Sequence, residues 1–472
     1  MAKKSDVVQK PKSRKLNPSV LVILSFLFVI AVGSFLLILP FAQTSGKWGN
    51  YMDALFISVS ATCVTGLCTY ANGIGNTLTF FGQLVVLILI QIGGLGFVTV
   101  LTFFITLIRR KLEFRNRYFI SQMVGSTNFA DVVKFVRKII IISAAAEITG
   151  FLLGLPVFFT MLPDNKPLAL WYSLFTSVSA FNNAGFDLFG SMSLLRDPAN
   201  ALIYNLPNWA YYYMCSYIMV LIVTGGISFL VIIDIFSFKK FRQYRVFSKI
   251  VLVTTLTLLL SGWILFILSE VTTGGMDVFQ ALFQSVTLRT AGFATYNQDN
   301  ITMVGKVVSC LLMFIGGSPL STAGGVKTTT FFMISLAMFC YFRGREVTAF
   351  KRKYSVNMIV KAMSLAFLGI FAIVIGVVGL ELFERQNTLI DSPAFRTDKP
   401  FALIYEVFSA FGTVGVSTGV TPLLSIGSKI VLCLLMFLGR LGPITFLQIF
   451  QMNMDKKQSL HYEYVEEDFL IG

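Results

Sequence analysis

The chain has 472 residues, of which 55% are hydrophobic and only 13% are charged, and its mean hydropathy is +0.76. Soluble domains carry about 25% charged residues, whereas residues 54–108 contain no Asp, Glu, Lys or Arg at all. A soluble fold could not cover itself with such material, so the sequence reads as a polytopic membrane protein. Six scattered cysteines without paired spacing and a single histidine, His461, argue against a disulfide scaffold, a zinc site or histidine-based catalysis.

Apolar runs of about 20 residues mark membrane spans. In chain order they fall at 20–39, 78–108, 139–161, 211–233, 250–268, 301–340, 358–380 and 430–450, the second and sixth being longer than one span needs. A long basic leader precedes the first run, which lacks a small-residue cleavage site, so it is expected to stay as a span. Basic residues cluster at 3–15, 109–138, 239–249, 343–361 and 456–457, and these clusters hold 27 of the 38 Lys and Arg. The positive-inside rule assigns all five to the cytoplasm. Two spans between each successive pair then give eight spans with both termini inside. The net charge of +15 is therefore a topology signal. Contact with anionic lipid headgroups or docking of an acidic cytoplasmic partner accounts for it, and no nucleic-acid partner is expected.

The four outward connections are self-similar, the first property to look for in a long chain. They contain Ser60-Ala61-Thr62-Cys63-Val64-Thr65-Gly66, Ser179-Ala180-Phe181-Asn182-Asn183-Ala184-Gly185, Val286-Thr287-Leu288-Arg289-Thr290-Ala291-Gly292 and Ser409-Ala410-Phe411-Gly412-Thr413-Val414-Gly415. The glycines lie 119, 107 and 123 residues apart, close to a quarter of the chain. Before each loop runs a segment of about ten residues (53–60, 170–179, 277–286, 400–409), too short to cross hydrocarbon and so expected to be a re-entrant helix. Asp53 and Asp277 open two of these helices, where an acid is favourable, and the opposite ends would turn a partial negative charge toward the loops. Irregular backbone at that depth must line a cavity. A glycine lets carbonyls approach an ion, and four such loops around one axis form a ring that can replace a cation's hydration shell.

The expected fold is thus an all-α integral membrane protein with eight transmembrane spans, arranged as four span–pore helix–filter loop–span repeats around one central pore. The repeats occupy 18–110, 134–240, 246–342 and 357–452, between a basic cytoplasmic N-terminus, 1–17, and a tail, 453–472. The ring would use the backbone of Val64, Thr65 and Gly66, of Asn183, Ala184 and Gly185, of Thr290, Ala291 and Gly292, and of Thr413, Val414 and Gly415.

Two features lie inside the spans. The middle of 301–340 holds Gly316, Gly317, Ser318, Pro319, Gly324, Gly325 and Lys327. Glycine costs about 1 kcal/mol relative to alanine in a helix, so 316–330 is expected to be unwound, or else a kinked small-residue packing surface. Arg440 sits in the last span, where arginine costs about 2.5–3.5 kcal/mol on insertion scales. It should face the pore as an electrostatic barrier or pair with an acid such as Glu147 or Asp234; Lys327 could share either role. Cys63 and Cys68 are read as packing residues, and Gly93-Gly94-Leu95-Gly96 as a helix surface against the pore helix. Asp187 reads either as an acid that concentrates cations at the outer mouth or as a solvated loop residue, and 462–469 as an acidic-aromatic contact segment.

The loops quoted above, together with Gln91-Ile92-Gly93-Gly94-Leu95-Gly96-Phe97, residues 316–328 and Gly439-Arg440-Leu441-Gly442-Pro443, resemble the Trk/Ktr/HKT superfamily of cation transporters, specifically its Ktr-type potassium-uptake membrane subunit. The likeness spans roughly residues 18 to 452. It implies potassium held at the loop carbonyls, a homodimer in a bacterial plasma membrane and gating by a separate cytoplasmic nucleotide-binding ring. It also makes the segment around Gly316–Gly325 an intramembrane gate. The sodium-preferring plant relatives carry serine where this chain has Gly66, which favours potassium. No cofactor is expected in this chain; sodium is an activator or a driving ion. An enzyme is not expected, since no His/Asp/Glu cluster stands near a membrane face. A sodium- or proton-coupled secondary transporter is the alternative, with Glu147 as its coupling acid.

Overall fold

The computed structural model describes residues 18–96, 132–190, 193–238, 240–390 and 396–442. Four times the chain passes through a long helix, a shorter helix, an irregular loop and a return helix. The first pass is α1 (Pro18–Ile38), α2 (Tyr51–Thr62) and α3 (Phe80–Leu95). The second is α4 (Val132–Met161), α5 (Lys166–Phe181), α6 (Asn208–Gly226) and α7 (Phe229–Ser237). The third is α8 (Val246–Phe266), α9 (Val278–Thr287), α10 (Met303–Phe314) and α11 (Thr328–Phe342). The fourth is α12 (Val356–Glu384), α13 (Lys399–Gly412) and α14 (Ile426–Leu441). A small hairpin, Thr348–Ala349 against Arg352–Lys353, precedes α12.

Lys134–Met161, Val246–Val271 and Val356–Glu384 are each long and apolar enough to cross a bilayer alone. The shorter α2, α5, α9 and α13 have 12, 16, 10 and 14 residues, under the roughly 20 that a crossing requires. Side chains start them. Asn50 accepts from the Met52 N–H, Asn165 from the Leu168 N–H, and Asp277 forms a reciprocal capping box with Gln280. Asp53 sits in the first turn of α2, as the sequence suggested. The second helix starts earlier than the expected 170–179, at Lys166, because Asn165 caps it there; the fourth runs on to Gly412.

Each short helix is strapped to the long helix before it in a recurring way. Ser58 donates to the Ile30 carbonyl at 2.8 Å, Ser177 to Glu147 at 2.7 Å and Ser285 to Leu259 at 2.8 Å. Opposite them stand Gly33, Gly150 and Gly262, where an added Cβ would strike the serine hydroxyl. In the fourth pass Val407 and Gly376 take these places, an apolar version of the same contact. Neighbouring passes are joined by polar links. Trp171 donates to Gln83 at 2.7 Å, the Leu194 N–H to the Ala294 carbonyl at 3.0 Å and Tyr405 to Gln298 at 2.8 Å. Lys429 pairs with Asp53 at 2.9 Å, which ties the last helix to the first short one.

Three expected spans differ from continuous helices. The run 211–233 is broken between α6 and α7 by a bend of 98°, with Ser228 capping the second piece. Helix α3 stops at Leu95, followed by Gly96 at φ 78°, and α14 stops at Leu441, followed by Gly442 at φ 78°. The remainders, 97–108 and 443–450, lie outside the described residues. Hydropathy is blind to these ends because the chain stays apolar while its hydrogen bonding changes. The unwound segment of 301–340 is 315–327 rather than 316–330, since Thr328, Thr329 and Thr330 already form the first turn of α11.

Candidate functional site

The four loops meet. Two residues before each glycine, a non-glycine residue takes a left-handed conformation: Val64 at φ 58°, Asn183 at 58°, Thr290 at 76° and Thr413 at 50°. The glycines follow at φ 101° (Gly66), 68° (Gly185), 84° (Gly292) and 95° (Gly415). Such strain costs of order 1–3 kcal/mol per non-glycine residue and persists only where surroundings impose it. Here hydrogen bonds impose it. The Thr65 N–H donates to the Ser60 carbonyl, Ala184 to Ser179 and Val414 to Ser409, each at 2.8–2.9 Å. The Gly66 and Gly415 N–H groups donate to the hydroxyls of Ser60 and Ser409, both at 3.1 Å. In the third loop the register shifts by one residue: the Ala291 N–H donates to the Thr287 carbonyl, and the Thr287 hydroxyl to Phe293.

Around the ring each glycine abuts the carbonyl that precedes the next glycine. A Cβ built on Gly66 would lie 2.7 Å from the Ala184 oxygen, one on Gly185 2.8 Å from Ala291, and one on Gly292 2.7 Å from Val414. One on Gly415 would be closer still to Thr65, which closes the circle. All four glycines line a single cavity of about 490 Å³. Asp187 and Asp299 also line it. Asp187 is only 8% exposed, so it is not a solvated loop acid. Its carboxylate accepts from the Phe189 N–H at 3.0 Å, and burial pushes its pKa up to about 6. The hydroxyls of Thr62, Thr65 and Thr413 are buried without a partner among the described residues. A ring of this kind offers backbone oxygens to a small cation and leaves no room for side chains.

The helix ends beneath the ring explain the broken spans. Glycines bring the return helices against the carbonyl ends of the short ones: Gly93 against Thr62, Gly225 against Phe181 and Gly439 against Phe411. This is the packing role read for Gly93 and its neighbours; Gly94 lies against Asn182. Where those helices stop, their last carbonyls are left without helical donors, and segment 315–327 supplies several. The Ser318 N–H donates to Gly226 at 3.1 Å, the Thr322 hydroxyl to Gly225 at 2.9 Å and to Phe181 at 3.2 Å, and the Gly325 N–H to Gly439 at 3.2 Å. The base of the segment is closed by Gly316 N–H to Val326 O at 2.9 Å and Thr328 N–H to Gly317 O at 3.1 Å. Gly324 packs against Thr413 of the fourth loop, so the segment lies directly under the ring.

Arg440 has no acidic partner among the described residues. It donates to the carbonyls of Thr322 and Gly93 and, at 3.1 Å, of Gly94, which clamps the segment to the end of α3. The acids considered as its partners are engaged elsewhere. Glu147 accepts from Gln91, Ser143 and Asn182 at 2.9–3.1 Å, and Asp234 from Ser248 at 2.6 Å. Lys327 donates to the Ala323 carbonyl at 2.7 Å within the same segment. All six cysteines are free, so Cys63 and Cys68 are packing residues. The tail 462–469 lies outside the described residues. Two residues went unnoticed in the sequence. Glu406, buried in α13, accepts from Ser417, Thr418 and Thr421 and fixes the strand of chain beyond Gly415. Arg289 stands where the other loops carry Cys63, Asn182 and Gly412, a contrast visible on aligning the four loops.

A family model described as a TrkH cation transport protein matches residues 121–462. The chain is 32% identical to the potassium/sodium uptake protein NtpJ of Enterococcus hirae over 99% of its own length and 100% of that protein. It is also 32% identical to the Ktr system potassium uptake protein B of Bacillus subtilis, over 95% of this chain and 96% of the relative. The crystal structure of the potassium transporter TrkH from Vibrio parahaemolyticus superposes with a TM-score of 0.68 at 18% identity, covering 93% of this chain and 86% of that one, and so shares the fold. Family, composition and helix content together make this a multi-pass membrane protein and not an enzyme: the chain belongs to the TrkH family of cation transport proteins, as a membrane subunit of the Trk/Ktr superfamily.

Proposed function

We propose that the chain is the ion-translocating subunit of a potassium-uptake system, with the four glycine loops as its selectivity filter. One observation carries the reading: each glycine abuts the carbonyl before the next in a closed cycle, 66 to 184, 185 to 291, 292 to 414 and 415 to 65. Backbone oxygens so placed can stand in for hydration water. The four passes become repeats 18–110, 134–240, 246–342 and 357–452 around one pore, with eight spans and both termini cytoplasmic. The cavity with Asp187 and Asp299 is the outer mouth. Uptake by the named relatives from Enterococcus hirae and Bacillus subtilis supports potassium as the ion, with sodium as activator or driver.

Segment 315–327, with Gly316, Gly317, Ser318, Gly324, Gly325 and Lys327, is the gate in this reading, and Arg440 both latches it and places positive charge under the filter. Its many hydrogen bonds to helix ends favour a closed resting state that a cytoplasmic nucleotide-binding partner would release; the chain would work as a homodimer. The test is rubidium and sodium flux into liposomes for wild type and Gly66→Ser. Loss of the preference for rubidium supports the filter, and an unchanged preference in folded protein rejects it.

A further inference from the structure

The third loop departs from the other three in two ways, and the departures coincide. Its hydrogen-bond register is shifted by one residue, and two residues past its short helix stands Arg289, 7% exposed and in no ion pair among the described residues. The guanidinium forks between two backbone oxygens. Nη1 donates to the Thr255 carbonyl of α8 at 3.3 Å, and Nη2 to the Gly316 carbonyl at 3.2 Å. Gly316 is the first residue past the end of α10 to bond across the base of segment 315–327. One residue after Arg289, Thr290 carries the left-handed turn of the ring.

We propose that Arg289 is a positioning residue that couples the filter to the gate: it holds the base of segment 315–327 against the third filter loop, as Arg440 holds its tip against α3. The inference rests on the filter-and-gate reading above. A planar fork suits the task, because it can fix two acceptors on different elements at once. No arginine stands at the matching position of the other three loops, so one quarter of the ring is electrostatically unlike the rest. The third nitrogen, Nε, has no partner, and Arg289 lines a cavity of about 20 Å³ together with Thr255, Gly226 and Gly317. That volume admits about one water, which can accept from a guanidinium N–H when Gly316 is released, as a grip that must open requires. Movement of the gate then pulls on Thr290, and the filter changes shape as the gate opens.

The full chain in liposomes, without the cytoplasmic partner, tests this with R289Q and R289K beside Gly66→Ser and R440Q. R289Q is expected to raise rubidium flux about tenfold, the consequence of one charged hydrogen bond lost from the closed state, and to lower the rubidium-to-sodium ratio as well. R440Q, which frees only the tip, raises flux and keeps the ratio. R289K retains the charge but not the fork, and shows both effects to a smaller extent; should R289Q fail to fold, it decides alone. Folded R289Q or R289K with wild-type flux and ratio overturns the proposal, as does raised flux with an unchanged ratio. If Gly66→Ser also leaves the ratio unchanged, the filter reading has failed instead.

Discussion

Alanine at each glycine of the ring is the most direct challenge to the geometry. At Gly66 and Gly292 the new Cβ would lie 2.7 Å from a neighbouring carbonyl oxygen and at Gly185 2.8 Å, while ordinary contact begins at 3.4 Å. The backbone must therefore retreat by about 0.6–0.7 Å. Cavity size separates hard cations whose preferred oxygen distances differ by only about 0.4 Å, so a retreat of that size is enough to spoil discrimination. In energy, a non-glycine residue in such a conformation costs about 1–3 kcal/mol and overpacking a further 1–3 kcal/mol. Since 1.4 kcal/mol is a factor of ten, each substitution is expected to reduce the rubidium-to-sodium flux ratio at least tenfold in liposomes. Gly415→Ala should be the most severe, because its Cβ would press hardest on the Thr65 carbonyl. Gly379→Ala is the control: its Cβ would meet nothing closer than Val431 at 3.5 Å, in ordinary helix. If the four ring variants fold and match Gly379→Ala in selectivity, the reasoning fails.

Deleting 317–325 joins Gly316 to Val326, already hydrogen-bonded neighbours; flux should rise and its dependence on the partner vanish, and unchanged flux and dependence reject the gate. Arg440→Gln should speed uptake at low potassium; slower or absent uptake in well-folded protein would make the residue a structural clamp alone. Glu147→Gln turns an amide toward the donors Gln91 and Asn182 and should lower stability by about 1–3 kcal/mol, read as a lower melting temperature in detergent. Uptake that becomes insensitive to a proton or sodium gradient in that variant would favour a coupled transporter instead. Asp187 is charged above about pH 6 and neutral below it, so lowering external pH through that value should slow uptake from dilute potassium; Asp187→Asn should be slow at every pH, and a retained pH response would remove Asp187 from the outer mouth.

The four-loop pattern was legible because glycine at a fixed offset is a backbone requirement that only sequence can meet. Arg440 was legible as an expense, yet its partners were not, because they are carbonyls and every residue has one. The bend after Gly226 hid for a related reason. Ile227 keeps the run apolar, and the one clue, Ser228 ahead of an apolar stretch, is a helix cap that hydropathy does not register. Spacing did not single out the third loop, whose Gly292 keeps the offset of the other three glycines. Its difference, a shifted hydrogen bond and a forked arginine, involves backbone oxygens that every residue carries.

A ring of four loops written into one polypeptide has a freedom that four identical subunits lack. In a symmetric tetramer, any arginine placed behind the filter would appear four times and crowd four charges about the axis. Here an arginine occurs once, as Arg289, where the other loops carry Cys63, Asn182 and Gly412, so mutation can tune one quadrant while the other three keep their backbone geometry. Four unequal loops in one chain can therefore specialise side by side: in the proposed function, one anchors the gate and the rest hold the ion.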